Sequence, residues 1–417
     1  MKPTSSSTTA APQPPSPEAT ALGPEVRIGL ALSGGGSRAI AFHLGCLRAL
    51  NDLGILSRVT LLSTVSGGSV IGGLYGAFDE PFDEFEKRVR TMLKRGLVGA
   101  ILNAALTTPE GIKALGCLLL TGALDLLNLA VRLIAWLPMR LLPADTRRRW
   151  SAFLPRFTLR RAANLTTVFR RALDRSQFAG RTLKVLGEGK PKLIINAAEL
   201  RTGSAFYFSP AESGSWRLGK LAKPDLKYAD AVAASAAYPL FLPALDLAWP
   251  FNKRDGSRRV ERVLLTDGGI YDNLGLAPMW PRRDPAISLN VQQIDFIICC
   301  RAGYGLRHDP PTHFLTGRLT SAFSCLLDRT QNLATNRLFE LRDSGQLKGF
   351  ILPYLGQDDS RLACPPPGLV SREEAFGYPT DFSAMSQKWI ERLSKRGEQL
   401  THALWAEHAA NSSRPAS

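Results

Sequence analysis

The stretch LALSGGGSRAIAFHLGCLRAL, residues 30–50, places three consecutive glycines between an apolar run and a segment with helical spacing. Residues 26–34 are mostly apolar and predict a buried strand that ends in glycine. The apolar residues after the glycines recur at helical spacing and stop at Gly54, which favours a helix with a C-terminal glycine cap. A glycine-rich turn before a helix points several backbone N–H groups in one direction, so this turn predicts an anion-binding site.

Such a turn can bind a phosphate or stabilise the oxyanion of an acyl-transfer reaction. A P-loop requires a lysine after the glycines, and none follows here. A dinucleotide fingerprint would have to use Gly34, Gly36 and Ala39. It also needs an acidic residue about 20 positions further on, where this sequence has serines. The oxyanion interpretation is therefore favoured over the nucleotide one.

A second strand–turn–helix unit follows at residues 59–78, VTLLSTVSGGSVIGGLYGAF. Two such units in succession predict a parallel sheet with helices on both faces. Further buried strands are predicted at 191–200, 262–269 and 294–300, and a later helix is predicted from Leu319. The expected fold is a three-layer α/β/α architecture with a mainly parallel central sheet.

Ser66 lies at the turn of this second unit and is followed by Gly67 and Gly68. The pattern is similar to the nucleophile elbow GxSxG, in which a tight turn exposes a serine hydroxyl. Thr64 takes the place of the first glycine, and its branched side chain is expected to crowd the turn. Two such units, one rich in N–H donors and one presenting a serine, point to acyl-transfer chemistry.

A serine nucleophile needs a base, and the usual partner is histidine. None of the five histidines ends a predicted strand: they are His43, His308, His313, His402 and His408. The best-placed base is Asp267, which ends the apolar part of VLLTDGGIYDNLG, residues 263–275. An aspartate at the carboxyl end of a sheet strand lies at the edge where open α/β sheets bind ligands. The alternative is an aspartate that only stabilises its own turn.

The 417-residue chain has a formal net charge of +16, which favours anionic partners, either nucleic acid or acidic lipid surfaces. Its six cysteines show no CxxC spacing, and the histidines do not cluster with them in the sequence. Free thiols in a reducing compartment are therefore expected, and metal ligation is not. No apolar signal-peptide core is present near the N-terminus. Residues 1–24 and 401–417 are expected to be tails, the first of them disordered, around a folded region at 25–400.

Residues 94–180 form an apolar and basic insertion that is expected to be mostly helical. Its longest uncharged stretch, 114–124, falls short of the about 20 residues that span a membrane, so no crossing is expected. Asp125, Asn128 and Arg132 form a narrow polar stripe. This pattern suits a helix in a membrane interface or a lid over an apolar site, and equally a helix buried in an extra layer. The arginine-rich segments that follow would contact anionic headgroups or form an ordinary solvated face.

Four blocks of the sequence resemble the patatin-like phospholipases in order and position. They are SGGGSRA at 33–39, SGGS at 66–69, ASAAYPLFLPAL at 234–245 and DGGIYDN at 267–273. The resemblance covers residues 26–276. It implies hydrolysis of phospholipid or a related lipid ester, on a fold in which the block at 234–245 is a wall of the site.

The family resemblance also implies roles for single residues. A Ser–Asp dyad would consist of Ser66 as nucleophile and Asp267 as base, and this chemistry needs no metal or cofactor. Gly34, Gly35 and Gly36 would supply the oxyanion hole. An arginine after the glycine loop faces the lipid phosphate in the cytosolic phospholipase branch, and Arg38 is at that position. The alternative for Arg38 is a first-turn helix residue that pairs with a carboxylate.

The implied partners are a lipid ester and an anionic membrane surface, and no nucleic acid. The chain would then be a cytoplasmic protein that associates peripherally with membranes. Two other outcomes stay open at this point. One is acyl transfer to a second lipid, and the other is a catalytically inactive lipid-binding or scaffold protein on the same fold.

Overall fold

The two apolar runs before the glycine turns form neighbouring strands of a ten-stranded sheet. The structure is a computed structural model, and it describes residues 22–153, 162–223, 225–286, 288–305 and 314–412. The strands are β1 Ile28–Leu32, β2 Val59–Val65, β3 Lys192–Glu199, β4 Ser204–Phe208, β5 Gly214–Ser215, β6 Gly219–Leu221, β7 Leu245–Asn252, β8 Arg258–Asp267, β9 Phe296–Cys300 and β10 Gly349–Ile351.

The strand order is β10-β9-β1-β2-β3-β4-β5-β6-β7-β8, with a further pairing between β3 and β8. The strands from β10 to β3 are parallel, which confirms the sheet expected from the two strand–turn–helix units. The remaining strands are antiparallel, so the sheet is mixed, and β8 runs antiparallel to both β3 and β7. The reason is loop length. Residues 200–203 alone join β3 to β4, whereas a parallel crossover needs about a dozen residues.

The helices predicted after the glycine turn and near Leu319 are both present. The first has Gly54 just beyond its end, at φ 70°. In chain order the helices are α1 Gly36–Asp52, α2 Gly67–Ala77, α3 Phe82–Arg95, α4 Val98–Thr107, α5 Pro109–Arg140, α6 Ala144–Phe153, α7 Leu165–Leu173, α8 Tyr228–Ser235, α9 Gly269–Asp272, α10 Leu315–Asp343, α11 Arg372–Ala375 and α12 Gln387–Ser412.

The ends of the folded region differ from the expected tail boundaries. Residues 1–21 of the expected N-terminal tail lie outside the described residues. Leu22, however, is packed in the core, and Arg58 donates to its carbonyl oxygen at 3.0 Å. At the other end α12 continues through residue 412, because Leu400 and Trp405 on this helix are fully buried.

Both faces of the parallel strands are covered, because successive side chains point to opposite sides of the sheet. Leu30 and Leu32 of β1 belong to the larger core, to which α1, α2, α8 and α12 contribute. Ala31 of β1 and Ile297 of β9 belong to the smaller core, together with Leu338 from the C-terminal part of α10. Helices on both faces give the three layers expected from the sequence.

Helices α1 and α12 approach so closely that each has a glycine at the crossing. A Cβ atom on Gly45 would lie 1.7 Å from the Ser394 carbonyl oxygen. A Cβ atom on Gly397 would lie 2.2 Å from the Phe42 carbonyl oxygen. This crossing fixes the position of α1, whose first residue belongs to the glycine turn.

The insertion contains α4, α5, α6 and α7, and its main helix is exposed, so the interpretation as a helix buried in an extra layer is wrong. Only 6% of the apolar stretch of α5 is buried, and Leu119, Leu126 and Ile134 are among its exposed side chains. The length argument against a membrane crossing is also wrong. Pro109–Trp136 is long and apolar enough to cross, by length and composition alone. The uncharged stretch ends before Asp125, but the helix continues through Asp125, so the uncharged stretch is shorter than the apolar helix.

The arginines after α5 divide into two groups. The three at 147–149 on α6 are exposed. On α7, by contrast, Arg170 pairs with Asp230 at 3.4 Å and belongs to the packed part of the protein. Residues 154–161, which include part of the arginine-rich segments, lie outside the described residues. Exposed arginines thus follow directly after the exposed apolar helix.

Gly45→Ala is expected to lower the free energy of unfolding by about 2–3 kcal/mol, because the added methyl group overlaps the Ser394 carbonyl oxygen and forces α1 and α12 apart. Urea unfolding followed by circular dichroism measures the change. Gly99→Ala on α4 is the control, since a Cβ atom there meets nothing within 4 Å. It is expected to leave stability unchanged or to raise it by up to about 1 kcal/mol. Wild-type stability of the Gly45→Ala variant would contradict the close helix crossing.

Candidate active site

Ser66 occupies a strained turn between β2 and α2. Its backbone has φ 52° and ψ −118°, a conformation that residues other than glycine rarely adopt. The Ser66 N–H donates to Ser235 Oγ at 3.0 Å, and the Ser66 carbonyl oxygen accepts the N–H groups of Ser69 and Val70. A strand, a strained serine and a helix in this order have the geometry of a nucleophile elbow.

Thr64 fits the elbow without crowding it, contrary to the expectation, because α2 has a glycine where the threonine packs. A Cβ atom on Gly72 would lie 2.4 Å from Thr64 Cγ2. The Thr64 hydroxyl accepts a hydrogen bond from Ser69 Oγ at 3.0 Å, and Ser69 Oγ lies 2.8 Å from Ser235 Oγ. These hydroxyls connect the threonine to the serine that binds the Ser66 amide.

Asp267 ends β8 beside this elbow and is 3% exposed. Burial raises its pKa to about 6, although hydrogen bonding from the Ser66 hydroxyl and the Gly269 N–H lowers the pKa. Oδ1 accepts the Gly269 N–H at 2.7 Å. Oδ2 has no hydrogen bond of good geometry to any described residue, so the Ser66 hydroxyl is near the carboxylate but not ideally aligned with it. Catalytic hydrogen bonds are often loose in this way before substrate binds.

The segment 235–237, at the end of α8, joins the two turns, a role that no sequence motif predicts. Ser235 Oγ binds the Ser66 amide, as described above. The carbonyl oxygens of Ser235 and Ala237 accept the N–H groups of Gly268 and Asp267 at 3.2 and 3.0 Å. The segment therefore holds both turns at a fixed separation. The only signal in the sequence is one serine within an alanine-rich run.

The glycine loop packs against the elbow through its backbone. A Cβ atom on Gly67 would lie 2.3 Å from the Gly36 carbonyl oxygen, so a side chain at residue 67 would push the loop away. Gly35 and Gly36 have φ 144° and 57°, and their N–H groups have no hydrogen-bond acceptor in the described part of the chain. These two amides are therefore available to a negative charge that develops at the Ser66 turn.

Gly34 does not have the donor role predicted for it, because its N–H is already used. It donates to the Asn273 carbonyl oxygen at 3.1 Å. A Cβ atom on Gly34 would lie 2.3 Å from Asn273 Oδ1 and 3.2 Å from Ser66 Cβ, so close packing explains the glycine. Asn273 ends the DGGIYDN block, and its contact with Gly34 ties that block to the glycine loop.

Arg38 is directed into the protein, so the predicted contact with a lipid phosphate does not fit its position. The side chain is buried, and Nε donates to the Ala302 carbonyl oxygen at 2.9 Å. Nη1 donates to the Tyr378 carbonyl oxygen at 3.4 Å, and the guanidinium carbon lies 4.5 Å from the centre of the Tyr304 ring. These contacts give Arg38 a structural role below the glycine loop.

The histidines considered as alternative bases have other positions. His43 is fully buried on α1, and its Nε2 lies 2.9 Å from the Ser33 carbonyl oxygen. Two histidines lie on α12, namely His402 and His408. The remaining two lie outside the described residues, namely His308 and His313. Within the described chain, Asp267 is therefore the base candidate that the fold brings to Ser66.

The segments next to Asp267 expose large apolar side chains. Phe241 is 66% exposed in the loop after α8, and Tyr271 is 47% exposed on α9. Tyr238 connects this loop to α10 through a ring contact with Phe323 at 5.9 Å. These exposed apolar side chains belong to the two segments whose backbones meet at Asp267, namely 235–241 and 267–272.

Residues 30–280, more than half of the chain, match the model of the patatin-like phospholipases. A search of curated proteins found no match. Among solved structures, matches include human GIVD cytosolic phospholipase A2 with the inhibitor methyl gamma-linolenyl fluorophosphonate, VipD from Legionella pneumophila and the type III effector protein ExoU. Each of the three is 14% identical to this chain.

The TM-scores of these three structures are 0.46, 0.34 and 0.32, in the order given. The matches cover 93%, 92% and 92% of this chain and 60%, 67% and 53% of the other chains. This chain thus spans about 60% of the length of the human enzyme.

Asp267→Asn is expected to stabilise the protein at pH 7 by about 1–3 kcal/mol and to have little effect at pH 4. The folded pKa of about 6 exceeds the ordinary aspartate value of 3.8, so between these values the folded state holds a proton that the unfolded chain has released. The wild type therefore loses stability as the pH rises through this window, and the asparagine variant does not. Urea unfolding at both pH values measures the difference.

Asp272→Asn is the comparison variant, because burial also raises the pKa of Asp272, five residues away, but this carboxylate accepts more backbone N–H groups than Asp267 does. Its oxygens accept the N–H groups of Leu274, Gly275 and Ala277. An amide NH₂ in place of one oxygen loses part of these bonds, and this loss opposes the gain from removing a buried charge. The Asp272→Asn variant should therefore be stabilised less than Asp267→Asn at pH 7. An Asp267→Asn variant that is less stable than the wild type at pH 7 would show that burial does not dominate at this carboxylate.

Proposed function

Because the chain belongs to the patatin-like phospholipase family, we propose that it is a lipid acyl hydrolase with Ser66 as nucleophile and Asp267 as general base. Lipid ester hydrolysis is the activity that the family indicates. The observation that carries the assignment of residues is the interaction of the Ser66 hydroxyl with the buried Asp267 carboxylate, at a turn that packs against Gly34 and Gly36 of the glycine loop.

In the first half-reaction Ser66 Oγ attacks the ester carbonyl carbon of the lipid, and Asp267 accepts the hydroxyl proton. The carbonyl oxygen becomes an oxyanion, which the N–H groups of Gly35 and Gly36 stabilise together with the positive end of the α1 dipole. The tetrahedral intermediate then releases the alcohol part of the lipid, which takes the proton from Asp267. The acyl chain remains esterified to Ser66.

In the second half-reaction a water molecule replaces the alcohol. Asp267 accepts a proton from the water as the water oxygen attacks the acyl-enzyme carbonyl carbon. The same two amides stabilise the second oxyanion. Collapse of this intermediate returns the proton to Ser66 Oγ and releases the fatty acid. No residue in this cycle requires a metal ion or a cofactor.

Burial tunes Asp267 for this role. A carboxylate with an ordinary pKa is a weak base at neutral pH, whereas burial raises the pKa of Asp267 to about 6. At pH 7 the group is still mostly ionised and therefore able to accept the serine proton. Its basicity is closer to that of a histidine, which explains how a carboxylate can serve without an imidazole.

We also propose that the enzyme binds peripherally to anionic membranes through α5. The helix exposes apolar side chains along its length, and the exposed arginines at 147–149 follow it on α6. An apolar surface inserts between lipid tails while nearby arginines contact anionic headgroups. If α5 crossed the membrane once, the residues before and after the insertion would lie on opposite sides of the bilayer. Ser66 and Asp267 would then be separated, although the proposed reaction needs them in one site. An orientation along the membrane surface is therefore favoured.

A cytoplasmic location is part of this proposal. All six cysteines lie among the described residues, and none of them forms a disulfide. Free buried thiols are typical of proteins in a reducing compartment. The substrate would then be a lipid ester of a membrane surface that faces the cytoplasm.

Ser66→Ala and Asp267→Asn are each expected to lower kcat for a short-chain p-nitrophenyl ester by at least about a thousandfold, since each removes one half of the dyad. For the wild type, kcat/KM should fall about tenfold per pH unit below pH 6, because Asp267 is then protonated and cannot accept the serine proton. Initial rates between pH 4.5 and 8 measure both effects.

Ser57→Ala is the control for this experiment, because Ser57 is exposed before β2, and its activity should equal that of the wild type. Substantial turnover by Asp267→Asn would assign the base to another residue. A folded wild type without turnover would favour the inactive lipid-binding alternative.

The double variant Leu119→Glu, Leu126→Glu is expected to bind anionic vesicles at least about tenfold more weakly than the wild type. The reason is that it places two negative charges on the exposed helix face that inserts into the membrane. Vesicle co-sedimentation measures the partition, with phosphatidylcholine vesicles containing phosphatidylserine. Binding of the wild type should decrease with added salt, because salt screens the arginines.

Val260→Glu is the matched control, since Val260 is 71% exposed on β8, away from the insertion. It should bind vesicles as the wild type does. Equal binding of all three proteins, or equal binding to neutral vesicles, would rule out α5 and the arginines as the membrane-contacting surface. The p-nitrophenyl ester assay stays informative in either case, because its substrate is soluble.

A further inference from the structure

A buried cluster of one imidazole and two thiols lies behind the glycine loop. His43 and Cys46 are one turn apart on α1, and Cys300 ends the neighbouring strand β9. All three side chains have 0% exposure. A ring nitrogen of His43 and the two Sγ atoms lie within 4.8 Å of one another. The sequence predicts no such cluster, because Cys46 and Cys300 lie 254 positions apart.

His43 has one ring nitrogen without a well-formed hydrogen bond. Its Nε2 lies 2.9 Å from the Ser33 carbonyl oxygen, and a carbonyl oxygen can only accept, so Nε2 carries the proton. Nδ1 is then the unprotonated nitrogen. It is buried and has no hydrogen bond of good geometry within the described chain, although the Cys46 thiol is close enough to interact with the ring. A buried acceptor without a well-formed hydrogen bond is costly, and a bound ligand would satisfy it.

A metal ion accounts for all three side chains, whereas a disulfide does not. A bond between Cys46 and Cys300 would use both thiols but leave His43 Nδ1 unsatisfied. Two thiolates and one imidazole are the donors that thiophilic metal ions prefer. Donors around one zinc ion lie about 3.5–4 Å apart, given zinc–sulfur and zinc–nitrogen distances of about 2.3 and 2.0 Å. The observed cluster is therefore near the required size.

We propose that His43, Cys46 and Cys300 form a binding site for a single thiophilic metal ion, Zn²⁺ or Cu⁺. Binding of Zn²⁺ would release the two thiol protons and give a site of zero net charge, which suits complete burial. Thiolates are the soft ligands that Cu⁺ prefers, and imidazole also binds copper. The hydrogen bond from Nε2 to Ser33 is the contact that metal-bound histidines usually make with their second nitrogen.

The site would connect the metal to the glycine loop through one residue. Ser33, directly before Gly34, accepts the His43 hydrogen bond, and its N–H donates to the Cys300 carbonyl oxygen at 3.1 Å. A bound ion would therefore link α1 to β9. It would also fix His43 and Cys300, the two residues whose hydrogen bonds hold the Ser33 backbone. The proposal does not depend on the catalytic roles of Ser66 and Asp267.

The test is metal uptake by the purified full-length protein. The reduced protein is stripped with a chelator, incubated separately with Zn²⁺ and with Cu⁺ under anaerobic conditions, desalted and analysed by inductively coupled plasma mass spectrometry. About one ion per chain is expected after at least one of the two incubations. The incubation that gives this uptake identifies the ion. Co²⁺ in place of Zn²⁺ should give thiolate-to-cobalt charge-transfer absorption, which reports sulfur ligation directly.

Cys46→Ala and Cys300→Ala should each reduce uptake at least tenfold. Cys299→Ala is the matched control, because Cys299 is equally buried on the same strand but belongs to the core on the opposite face of the sheet. It should keep one ion per chain. His43→Gln retains an N–H donor for Ser33, so it should fold and still lose the metal. If the role of His43 were structural alone, this variant would behave as the wild type.

Three results would overturn the proposal. The first is uptake below about one-tenth of an ion per chain by the wild type after both incubations. The second is uptake that the Cys46 and Cys300 variants leave unchanged. The third is a Cys46–Cys300 disulfide in protein purified without reductant, found by peptide mass spectrometry, together with no metal uptake after reduction. The first and third use the wild type, so they decide the question even where a variant fails to fold.

Discussion

The backbone contact between the Ser66 turn and the glycine loop is the constraint on which the candidate site depends. Gly67 packs on the Gly36 carbonyl oxygen, and Gly68 packs on the carbonyl oxygens of Leu32 and Ser33, at distances that exclude any Cβ atom. This approach brings amide donors next to a serine whose strained φ of 52° projects its hydroxyl from the turn. The three loop glycines have separate reasons. A Cβ atom on Gly34 would meet Asn273 and Ser66, Gly35 has φ 144°, and a Cβ atom on Gly36 would meet the Asp381 carbonyl oxygen.

Contacts from distant parts of the chain hold this pair of turns in place. Segment 235–237 binds the serine turn on one side and the aspartate turn on the other. Behind the loop, the Ser37 N–H donates to the Asp381 carbonyl oxygen at 2.7 Å, and the next residue, Phe382, accepts the N–H of Leu97 at the start of α4. Phe382 also packs on Phe169 of α7, with ring centres 5.5 Å apart. The apolar insertion is thus joined to the support of the glycine loop by two adjacent residues.

Local patterns in the sequence were sufficient for the parallel strands and the glycine turns. They also placed Ser66 and Asp267 at strand ends, but not for the expected reason, because β8 is antiparallel. Asp267 lies near the Ser66 turn because β8 ends opposite Ala197, one residue beyond the partner of Val65. Local patterns were insufficient where a residue's role depends on a partner far along the chain. Asn273 occupies the Gly34 amide, backbone carbonyl oxygens bind Arg38, and Cys300 joins His43, and none of these contacts leaves a local signal. The exposure of α5 stayed one of two open alternatives, since the sequence of a largely apolar helix does not show whether other elements cover it.

A crystal structure of the protein after reaction with a fluorophosphonate tests the central claim most directly. The account predicts that phosphorus is bonded to Ser66 Oγ and that one phosphonyl oxygen lies about 2.7–3.1 Å from the amide nitrogens of Gly35 and Gly36. An adduct on another residue, or a phosphonyl oxygen directed away from both amides, would contradict it.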